Sequence, residues 1–510
     1  MGNPRGLGLH FIFVCAFLFA GATFTTCLGD GNMSVICSEQ ERLALFKFKQ
    51  SVKDFSGMLS SWVGNDCCLW EGVHCEDTTV ESLNLRGCWR YKESEDDCYL
   101  SGDEVNPCLA ELSHLKSLDL SGNDFEGSQI PKFFRSLKQL TYLNLSHAGF
   151  EGIISPYIGN LSNLKVLDLS SNGGLKADDM AWTSGLSSLE YLDLSEVDLG
   201  RAKNRDMVFY MIPSLEVLSL SWCSLSNADF GPFLNSSRIL PNIKHLDLSE
   251  NSFQGPLPNF FQNLSSLTFL DLSYFDLSLA WNFANLLSMI PSLSELHLSG
   301  CGLDKTHLSS PHFNFSRLSN IQHLVLRENS IEGVFPPVFT NMSSLRVLDL
   351  SGNLLNLSVP VMPNLLDLDL SDNRFKQIRD VGIWRHCQIP ESLGRLRYLE
   401  VLDLSDNKLT GQIPSFLGNL SKLDLSSNQL NGTIPAAIGK LAKLHSLDFS
   451  NNSLQGVVFE AHFADLSMLK YLDASFNTKL TFNVSSDWMP PFQLVTLRLR
   501  SCNITNGFPQ

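Results

Sequence analysis

The stretch that decides the fold is Leu345-Arg-Val-Leu348-Asp-Leu350-Ser-Gly-Asn353, a copy of the phrase Leu-x-x-Leu-x-Leu-x-x-Asn. Alternate side chains of a strand point to the same face, so Leu348 and Leu350 are expected to point inward and Asp349 outward. One such strand cannot bury its leucines alone, and neighbouring copies must stack on it. Each buried leucine then contributes about 1.5–3 kcal/mol before conformational entropy is subtracted.

The phrase recurs from Val80 to Cys502 at intervals of roughly 24 residues, within the range of leucine-rich repeats. We therefore predict an α/β solenoid, a right-handed leucine-rich-repeat horseshoe with a parallel β-sheet on its concave side, over residues 80–510. An Asn amide at the last position can bond backbone groups that would otherwise be buried unpaired. This position holds Asn123, Asn172, Asn251, Asn329, Asn353, Asn373, Asn407, Asn428, Asn452 and Asn477, and elsewhere Ala148, Val197, Cys223, Phe275, Cys301 and Cys502.

Composition argues against several classes of function. The 510 residues carry a formal net charge of −16, and only 18% of them are charged. Proteins that bind nucleic-acid backbones need a basic stripe, so no nucleic-acid partner is expected. The sequence has no Walker loop, kinase signature or Gly-x-Ser-x-Gly elbow. We therefore expect no catalytic residues, no metal site and no cofactor, and thus not an enzyme.

The first residues have the pattern of a targeting segment. An apolar run from Leu7 to Ala20 follows Arg5, and small residues come next. This pattern predicts a secretory signal peptide over residues 1–29, with an N-terminal membrane anchor as the alternative. The chain ends at Gln510 in the middle of a repeat, so we expect it to be the front part of a longer protein or the product of an imperfect gene model.

Residues 37–78 are expected to form a cap over the first repeat. An amphipathic helix is indicated by apolar residues at Leu43, Phe46 and Val52, with Leu45 and Phe48 alongside. Ser38 followed by Glu41 suggests a capping box at its start. In a secreted chain, closely spaced cysteines indicate a disulfide framework. We expect the pairs Cys37–Cys67 and Cys68–Cys75; a zinc site that includes His74 and Cys75 is the alternative.

Two segments exceed one repeat in length. An acidic loop from Trp89 to Cys108 is expected to be closed by a Cys98–Cys108 disulfide, with Cys88 as a competing partner. Further along, residues 377–387 are surplus to the template. They are either an insertion or the junction left where repeats were lost.

The cap and the repeats together resemble the extracellular part of plant leucine-rich-repeat receptors. The motifs that show this resemblance in the cap are Ser60-Ser-Trp62, Cys67-Cys68 and Trp70-Glu-Gly-Val-His-Cys75. In the repeats they are Gly411-Gln-Ile-Pro414 and Gly432-Thr-Ile-Pro435. The sequence is most similar to kinase-less receptor-like proteins, including receptors for fungal ethylene-inducing xylanase. The resemblance implies a cell-surface ligand-binding protein that acts through partner receptor-like kinases.

Sequons for N-glycosylation are dense, as on exposed secreted surfaces. Asn144 is expected to stay unmodified because it lies on a concave strand. The expected glycosylation sites are Asn160, Asn235, Asn263, Asn314, Asn341, Asn356, Asn419, Asn431, Asn451, Asn483 and Asn503.

Two columns of concave residues can be traced across the repeats, and both hold aromatic side chains. The first column runs through Tyr142, Val166, Tyr191, Val217, His245, Phe269, Glu295 and His323. The second column runs through His147, Ser171, Glu196, Trp222, Glu250, Tyr274, Gly300 and Glu328. A ladder of Asp residues, among them Asp168, Asp193 and Asp247, is expected to be solvated and to make this face acidic, which favours basic partners. Exposed aromatic residues on a rigid sheet resemble the core of an interface. The candidate ligand-binding residues are Tyr191, Trp222, His245, Phe269, Tyr274, His297, His323 and Arg327.

These observations favour an extracellular receptor domain for plant defence that recognises a pathogen- or plant-derived protein or peptide. Its expected location is the outer side of the plasma membrane, or the apoplast and cell wall where no anchor follows. The alternatives are a soluble cell-wall protein that inhibits a pathogen enzyme and a non-functional receptor fragment.

Overall fold

The computed structural model describes residues 37–505 apart from 89–97, 231–238, 281, 283–284, 286, 310–317, 357–358, 374–377, 381–382, 386–387 and 416. Its main element is one long parallel sheet that begins with an antiparallel pair in the cap. Its strands are Val73–Glu76, Thr79–Asn84, Ser117–Asp119, Tyr142–Asn144, Val166–Asp168, Tyr191–Asp193, Val217–Ser219, His245–Asp247, Phe269–Asp271, Glu295–His297, His323–Val325, Val347–Asp349, Asp367–Asp369, Val401–Asp403, Lys422–Asp424, Ser446–Asp448, Tyr471–Asp473 and Thr496–Arg498. The predicted solenoid is confirmed.

The leucines of the repeated phrase form one continuous core. Leu348 pairs in register with Leu324 and Leu368 of the adjacent strands, and all three are fully buried. Leu350, two residues further on, is also fully buried. Stacking each strand on the next therefore provides the burial that a single strand lacks.

The asparagines at the end of the phrase form a second internal ladder. Nδ2 of Asn353 donates hydrogen bonds to the carbonyl oxygens of Leu326, Leu350 and Ser351, at 2.9, 3.0 and 3.1 Å. Its Oδ1 accepts a bond from the Ile331 amide at 3.1 Å. Because one donor links two repeats, the ladder fixes the spacing of the turns. The Cys223 thiol replaces one of these bonds, to the Leu194 carbonyl at 3.1 Å.

The convex side consists of short helical turns and short strands. Its 3₁₀ turns are Pro107–Glu111, Lys132–Ser136, Pro156–Asn160, Met180–Gly185, Arg205–Phe209, Asn227–Phe230, Asn259–Asn263, Pro337–Asn341, Glu391–Arg395, Ala436–Lys440 and Glu460–Phe463, joined by an α-helix at Lys305–Ser309. A second parallel sheet contains Thr410–Gly411, Gln429–Gly432, Ser453–Val458, Lys479–Phe482 and Asn503–Ile504. Further pairs join Lys53–Asp54 to Leu100–Ser101, Glu151–Ile153 to Gly174–Lys176, and Glu332–Gly333 to Leu354–Leu355.

The cap contains an α-helix, Glu39–Ser51, and a 3₁₀ turn, Cys67–Leu69. The helix buries Leu45 and Phe48, whereas the predicted Leu43 and Phe46 are largely exposed. The predicted capping box is wrong: Ser38 makes no side-chain cap bond, and the Glu41 carboxylate instead accepts a bond from the Val80 amide at 3.2 Å. Glu41 thus connects the cap to the first strand of the solenoid.

The cap cysteines are paired as expected, and those of the following loop are not. Disulfides join Cys37 to Cys67 and Cys68 to Cys75, so the zinc alternative loses its thiolate ligands. The expected Cys98–Cys108 bond is wrong because Cys98 pairs with Cys88, the competing partner. The Cys108 thiol turns toward the cap helix and donates to the Ala44 carbonyl at 3.1 Å, and burial raises its pKa to about 11.

The surplus segment before Ile389 leaves the main sheet without interrupting it. Strand Asp367–Asp369 pairs directly with Val401–Asp403. The intervening backbone contains an antiparallel hairpin of Ile378–Asp380 and Ile383–Arg385. The surplus segment therefore lies outside the main sheet and does not change the pairing of its strands. Among the described residues, no helix combines the length and the apolar character needed to cross a bilayer.

Candidate ligand-binding surface

The structure aligns the first predicted column as the sequence suggested. Tyr191 pairs with Val217, which pairs with His245. The series continues through Phe269, Glu295 and His323 on successive strands. Neighbouring parallel strands lie about 4.8 Å apart, so side chains in one column touch those of the next repeat.

Three aromatic rings of the central repeats are packed together on this face. The rings of His245 and Phe269 are parallel, with centroids 3.9 Å apart and planes inclined by 2°. Phe269 meets His297 edge to face at 5.0 Å. Such contacts add about 0.5–1.5 kcal/mol beyond area burial and hold the rings in place. His297 replaces the Asp that most repeats carry at its position, which brings a cation into the acidic ladder.

His297 is held between two carboxylates. Its Nδ1 lies 3.3 Å from Oδ2 of Asp271, and its Nε2 lies 3.0 Å from Oε1 of Glu295. Burial lowers the pKa of His297, but the hydrogen bonds and charges of both carboxylates outweigh it and raise the pKa to about 9. His297 is therefore a cation at neutral and acidic pH. Glu295 also approaches Nδ1 of His323 at 3.5 Å.

The second column is set by backbone conformation. The residue before the last position of the phrase, whether that position holds Asn251, Cys223 or Phe275, adopts the left-handed region. Its φ is 56° at Trp222, 57° at Glu250 and 65° at Tyr274. Each amide still bonds the next strand, as Trp222 N does to the Ser249 carbonyl at 3.1 Å. This conformation turns the side chains away from the core. Trp222 is 64% exposed and Tyr274 42% exposed, although both belong to a hydrogen-bonded framework.

Tyr274 and Arg327 converge on one carboxylate. The Tyr274 hydroxyl donates to Oε2 of Glu328 at 3.0 Å, and Nε of Arg327 donates to Oε1 at 2.9 Å. The Arg327 bond is the main cause that lowers the pKa of Glu328. The Tyr274 ring spans the intervening repeat, where Gly300 leaves room for it.

Six of the eight predicted residues form two connected groups. His245, Phe269, His297 and His323 form one, and Tyr274 and Arg327 form the other through Glu328. Trp222 lies two strands from Tyr274 in the second column, roughly 10 Å away, and Tyr191 lies apart, with its hydroxyl 3.4 Å from Asp193. Sequence reasoning missed Asp271, Glu295, Glu328 and Gly300, although Glu295, Glu328 and Gly300 stand in the columns it traced.

The Asp ladder is more buried than expected. Asp168 and Asp193 are buried, and Oδ1 of each accepts bonds from the residue two positions on. Burial, with the nearby Asp168 carboxylate, raises the pKa of Asp193 to about 8. Burial and the neighbouring Asp271 likewise raise the pKa of Asp247 to about 7. The prediction of a solvated ladder is wrong for these residues, and the concave face is less acidic than its formal charges imply.

The sequons fall on both faces of the solenoid. The side chain of Asn144 is half-buried and Oδ1 accepts bonds from Ser146, a geometry that disfavours modification. Asn451 stands in the second concave column, with φ of 51°. Asn356 is half-buried, and Asn235 and Asn314 lie outside the described residues. The exposed sites are Asn160, Asn263, Asn341, Asn419, Asn431, Asn451, Asn483 and Asn503.

Family models agree with this architecture. A leucine rich repeat N-terminal domain matches residues 38–76. Leucine rich repeat models match residues 291–355 and 418–478, and also 114–137, 139–161, 242–264 and 398–420.

Individual relatives are receptor-like proteins. Receptor-like protein EIX2 of Solanum lycopersicum is 37% identical over all of this chain and 51% of its own length. Receptor-like protein EIX1 of the same species is 33% identical over 98% of this chain and 50% of its own length. The chain thus spans about half the length of these relatives. Among solved structures, the Leptospira interrogans LRR protein LIC12759 aligns with a TM-score of 0.53 and 25% identity over 79% of this chain and 88% of its own. With cap, repeats and relatives in agreement, the chain belongs to the leucine-rich-repeat receptor-like proteins of plants.

Proposed function

We propose that this chain is the ligand-binding part of an extracellular plant defence receptor and that it recognises a pathogen- or plant-derived protein or peptide. Receptor-like kinases are the proposed signalling partners, by resemblance to the family. The proposed location is the outer side of the plasma membrane, or the apoplast and cell wall if no anchor follows. No catalytic role is proposed for any residue.

The main observation that supports this proposal is the exposure of the Trp222 and Tyr274 side chains. Both side chains are exposed although their backbones are fixed by hydrogen bonds to neighbouring strands. Exposed aromatic residues on a rigid framework lose little entropy on binding and dominate interface energies. A monomeric protein gains nothing in stability from exposing a Trp side chain.

Glu250, between these two rings in the same column, indicates the chemistry of the ligand. Burial and the nearby Asp271 and Glu328 carboxylates raise its pKa. Among the described residues, no cation forms an ion pair with Glu250, in contrast to Glu328 with its Arg327. A Lys or Arg side chain of the ligand would pair with Glu250 and pack against the Trp222 and Tyr274 rings as a cation–π contact. We therefore propose that a basic segment of the ligand binds here.

The test uses fungal ethylene-inducing xylanase as the probe, chosen by the family resemblance. Its affinity for the secreted chain would be compared with that for the double variant Trp222→Ala/Tyr274→Ala and for Glu250→Gln. We expect a loss of about tenfold or more for the double variant, and a smaller loss for Glu250→Gln that disappears at high salt. Leu279→Ala, at a side chain 77% exposed and outside both columns, is the control. Equal affinity of all four proteins would contradict the proposed surface, and absence of binding would exclude this ligand.

A further inference from the structure

A different surface, on the edge of the solenoid where the chain enters each strand, holds a cavity that the proposed function does not use. The residue before each strand lies in register with its counterparts, because its amide bonds the carbonyl of the preceding one; Arg346 bonds Gln322 and Leu366 bonds Arg346 in this way. We call this series the edge column. Other members are Lys165, Glu190, Glu216, Lys244 and Glu400.

Two lysines of the edge column are neutralised by glutamates of neighbouring repeats. Nζ of Lys165 lies 2.8 Å from Oε1 of Glu190, and Nζ of Lys244 lies 2.8 Å from Oε2 of Glu216. Alternating charges therefore cancel along this part of the edge. Exposed pairs of this kind contribute little stability, so their main effect is to leave no net charge for an anion.

Arg346 breaks this pattern. Its two neighbours in the edge column are Gln322 and Leu366, neither of which carries charge. In the part of the chain that the structure describes, no side chain forms an ion pair or hydrogen bond with its guanidinium. The next carboxylate in the column, Glu400, is two strands away. Arg346 is thus an exposed, uncompensated cation on a protein of net charge −16.

Arg346 lines a cavity of 460 Å³ together with Gln322, Asn364 and Tyr398. Ser343, Ser344 and Leu366 also line the cavity. The repeat that contributes Asn364 to the lining is short, with roughly 20 residues from Asn353 to Asn373. Nδ2 of Asn364 donates to the Ser343 carbonyl at 2.7 Å, which fixes the orientation of the amide at the wall. The Tyr398 side chain is 63% exposed.

We propose that this cavity binds a sugar acid, with Arg346 pairing with the carboxylate. Guanidinium binds carboxylate through two parallel charge-assisted hydrogen bonds, which are about twice as strong as hydrogen bonds between neutral groups. The amides of Gln322 and Asn364 and the two serine hydroxyls offer donors and acceptors for ring hydroxyls. Among the residues that line the cavity, Tyr398 alone has an aromatic ring, and the C–H face of a pyranose would pack against it. A volume of this size is in the range of small-ligand sites.

The test is saturation-transfer NMR of the secreted chain with glucuronate and, as the matched neutral sugar, glucose. We expect transfer to glucuronate and about tenfold less to glucose. Arg346→Gln should remove the preference for glucuronate, and Tyr398→Ala should weaken transfer to it. Lys244→Gln, at a paired cation of the same edge column, should change neither; circular dichroism confirms that each variant is folded.

Two other possible occupants of the cavity are tested by additional experiments. A capped tetrapeptide of glutamate that binds about tenfold more tightly than glucuronate, and loses this in Arg346→Gln, would show a peptide site and overturn the proposal. Ser343 belongs to the sequon at Asn341, so the chain's own glycan is the other rival. Glucuronate binding seen only in Asn341→Gln would identify that glycan as the occupant and would equally overturn it. Equal transfer to glucuronate and glucose, or none to glucuronate, would refute the site outright.

Discussion

The ring of Tyr274 lies across Gly300: a Cβ atom at Gly300 would stand 2.6 Å from Cε1 of Tyr274. Non-bonded carbon atoms do not approach so closely. The absence of a side chain at Gly300 therefore allows the Tyr274 ring to reach Glu328 on the following repeat. A glycine with no side chain of its own thus determines where an exposed aromatic residue points. The sequence alone shows Gly300 only as one more occupant of a column.

Gly300→Ala should displace Tyr274. Its φ of 62° costs any residue with a Cβ about 1 kcal/mol, and the clash adds the loss of the Tyr274–Glu328 bond. Gly255→Ala is the matched control, because Gly255 has φ of 75° and a Cβ atom there would meet no other atom within 4 Å. Denaturant unfolding should show a loss of about 1 kcal/mol for Gly255→Ala and a larger loss for Gly300→Ala. Only Gly300→Ala should weaken xylanase binding; equal binding losses would mean that Tyr274 is not the reason.

Asn353→Ala should destabilise the solenoid by about 3 kcal/mol. The side chain is buried, and its removal leaves several backbone groups of two repeats without partners. Asn353→Cys should cost less, because a thiol in the same position at Cys223 still donates one bond to the preceding repeat. Chemical denaturation of the three proteins measures the order. A Cys variant no more stable than the Ala variant would contradict the role assigned to the thiol.

The charge on His297 predicts a loss of stability in mild alkali. Its folded pKa of about 9 lies above the ordinary value of 6.5. The contribution of this charge to the free energy of unfolding is therefore complete below pH 6.5 and is lost as the pH rises through 9. The loss is on the order of 3 kcal/mol at most. In His297→Gln this part of the pH dependence should be absent. Unfolding free energies of both proteins between pH 6 and about 9.5 measure it; identical slopes would show that His297 is not protonated in the folded state.

The disulfide assignment can be read from one tryptic peptide. Trypsin cuts after Arg90 and Lys92, and the next basic residue is Lys116, so Cys98 and Cys108 fall in the same fragment. The Cys88–Cys98 bond predicts that the fragment is joined to the peptide ending at Arg90 and carries one alkylatable thiol. A Cys98–Cys108 bond would instead leave that fragment unlinked and without a thiol. Non-reducing mass spectrometry after alkylation of the unfolded chain distinguishes the two.

The repeats could be predicted because one period governs both burial and hydrogen bonding. Leu348, Leu350 and Asn353 occupy the positions that their spacing requires, whatever the surrounding repeats contain. The two columns were predictable for the same reason, since strand register carries each residue next to its counterpart. Six of the candidate residues therefore meet, although residues on adjacent repeats are roughly 24 or more positions apart in sequence.

Other features depend on contacts that no period describes. The sequence places Leu43, Phe46, Leu45 and Phe48 together on one short helix, but only Leu45 and Phe48 are buried in the structure. The partner of Cys98 is decided by how the chain leaves the cap, because Cys108 is held against Ala44. The alternation of side chains along a strand predicts a solvated Asp ladder, yet Asp193 is buried and its Oδ1 accepts a bond from the Ser195 amide. Tertiary packing therefore determines which helix face is buried, which cysteines pair and which Asp side chains are buried, and the repeat pattern does not predict these contacts.

Oxidative footprinting of the side chains is the most direct test of the central surface. Hydroxyl radicals would be applied to the secreted chain alone and saturated with the xylanase, and oxidation would be measured at Trp222 and Tyr274. Met489, 87% exposed in the last repeats, is the internal reference. We predict that oxidation of Trp222 and Tyr274 falls severalfold in the complex while that of Met489 does not change. Unchanged oxidation of Trp222 and Tyr274 in a saturated complex would show that the ligand binds elsewhere.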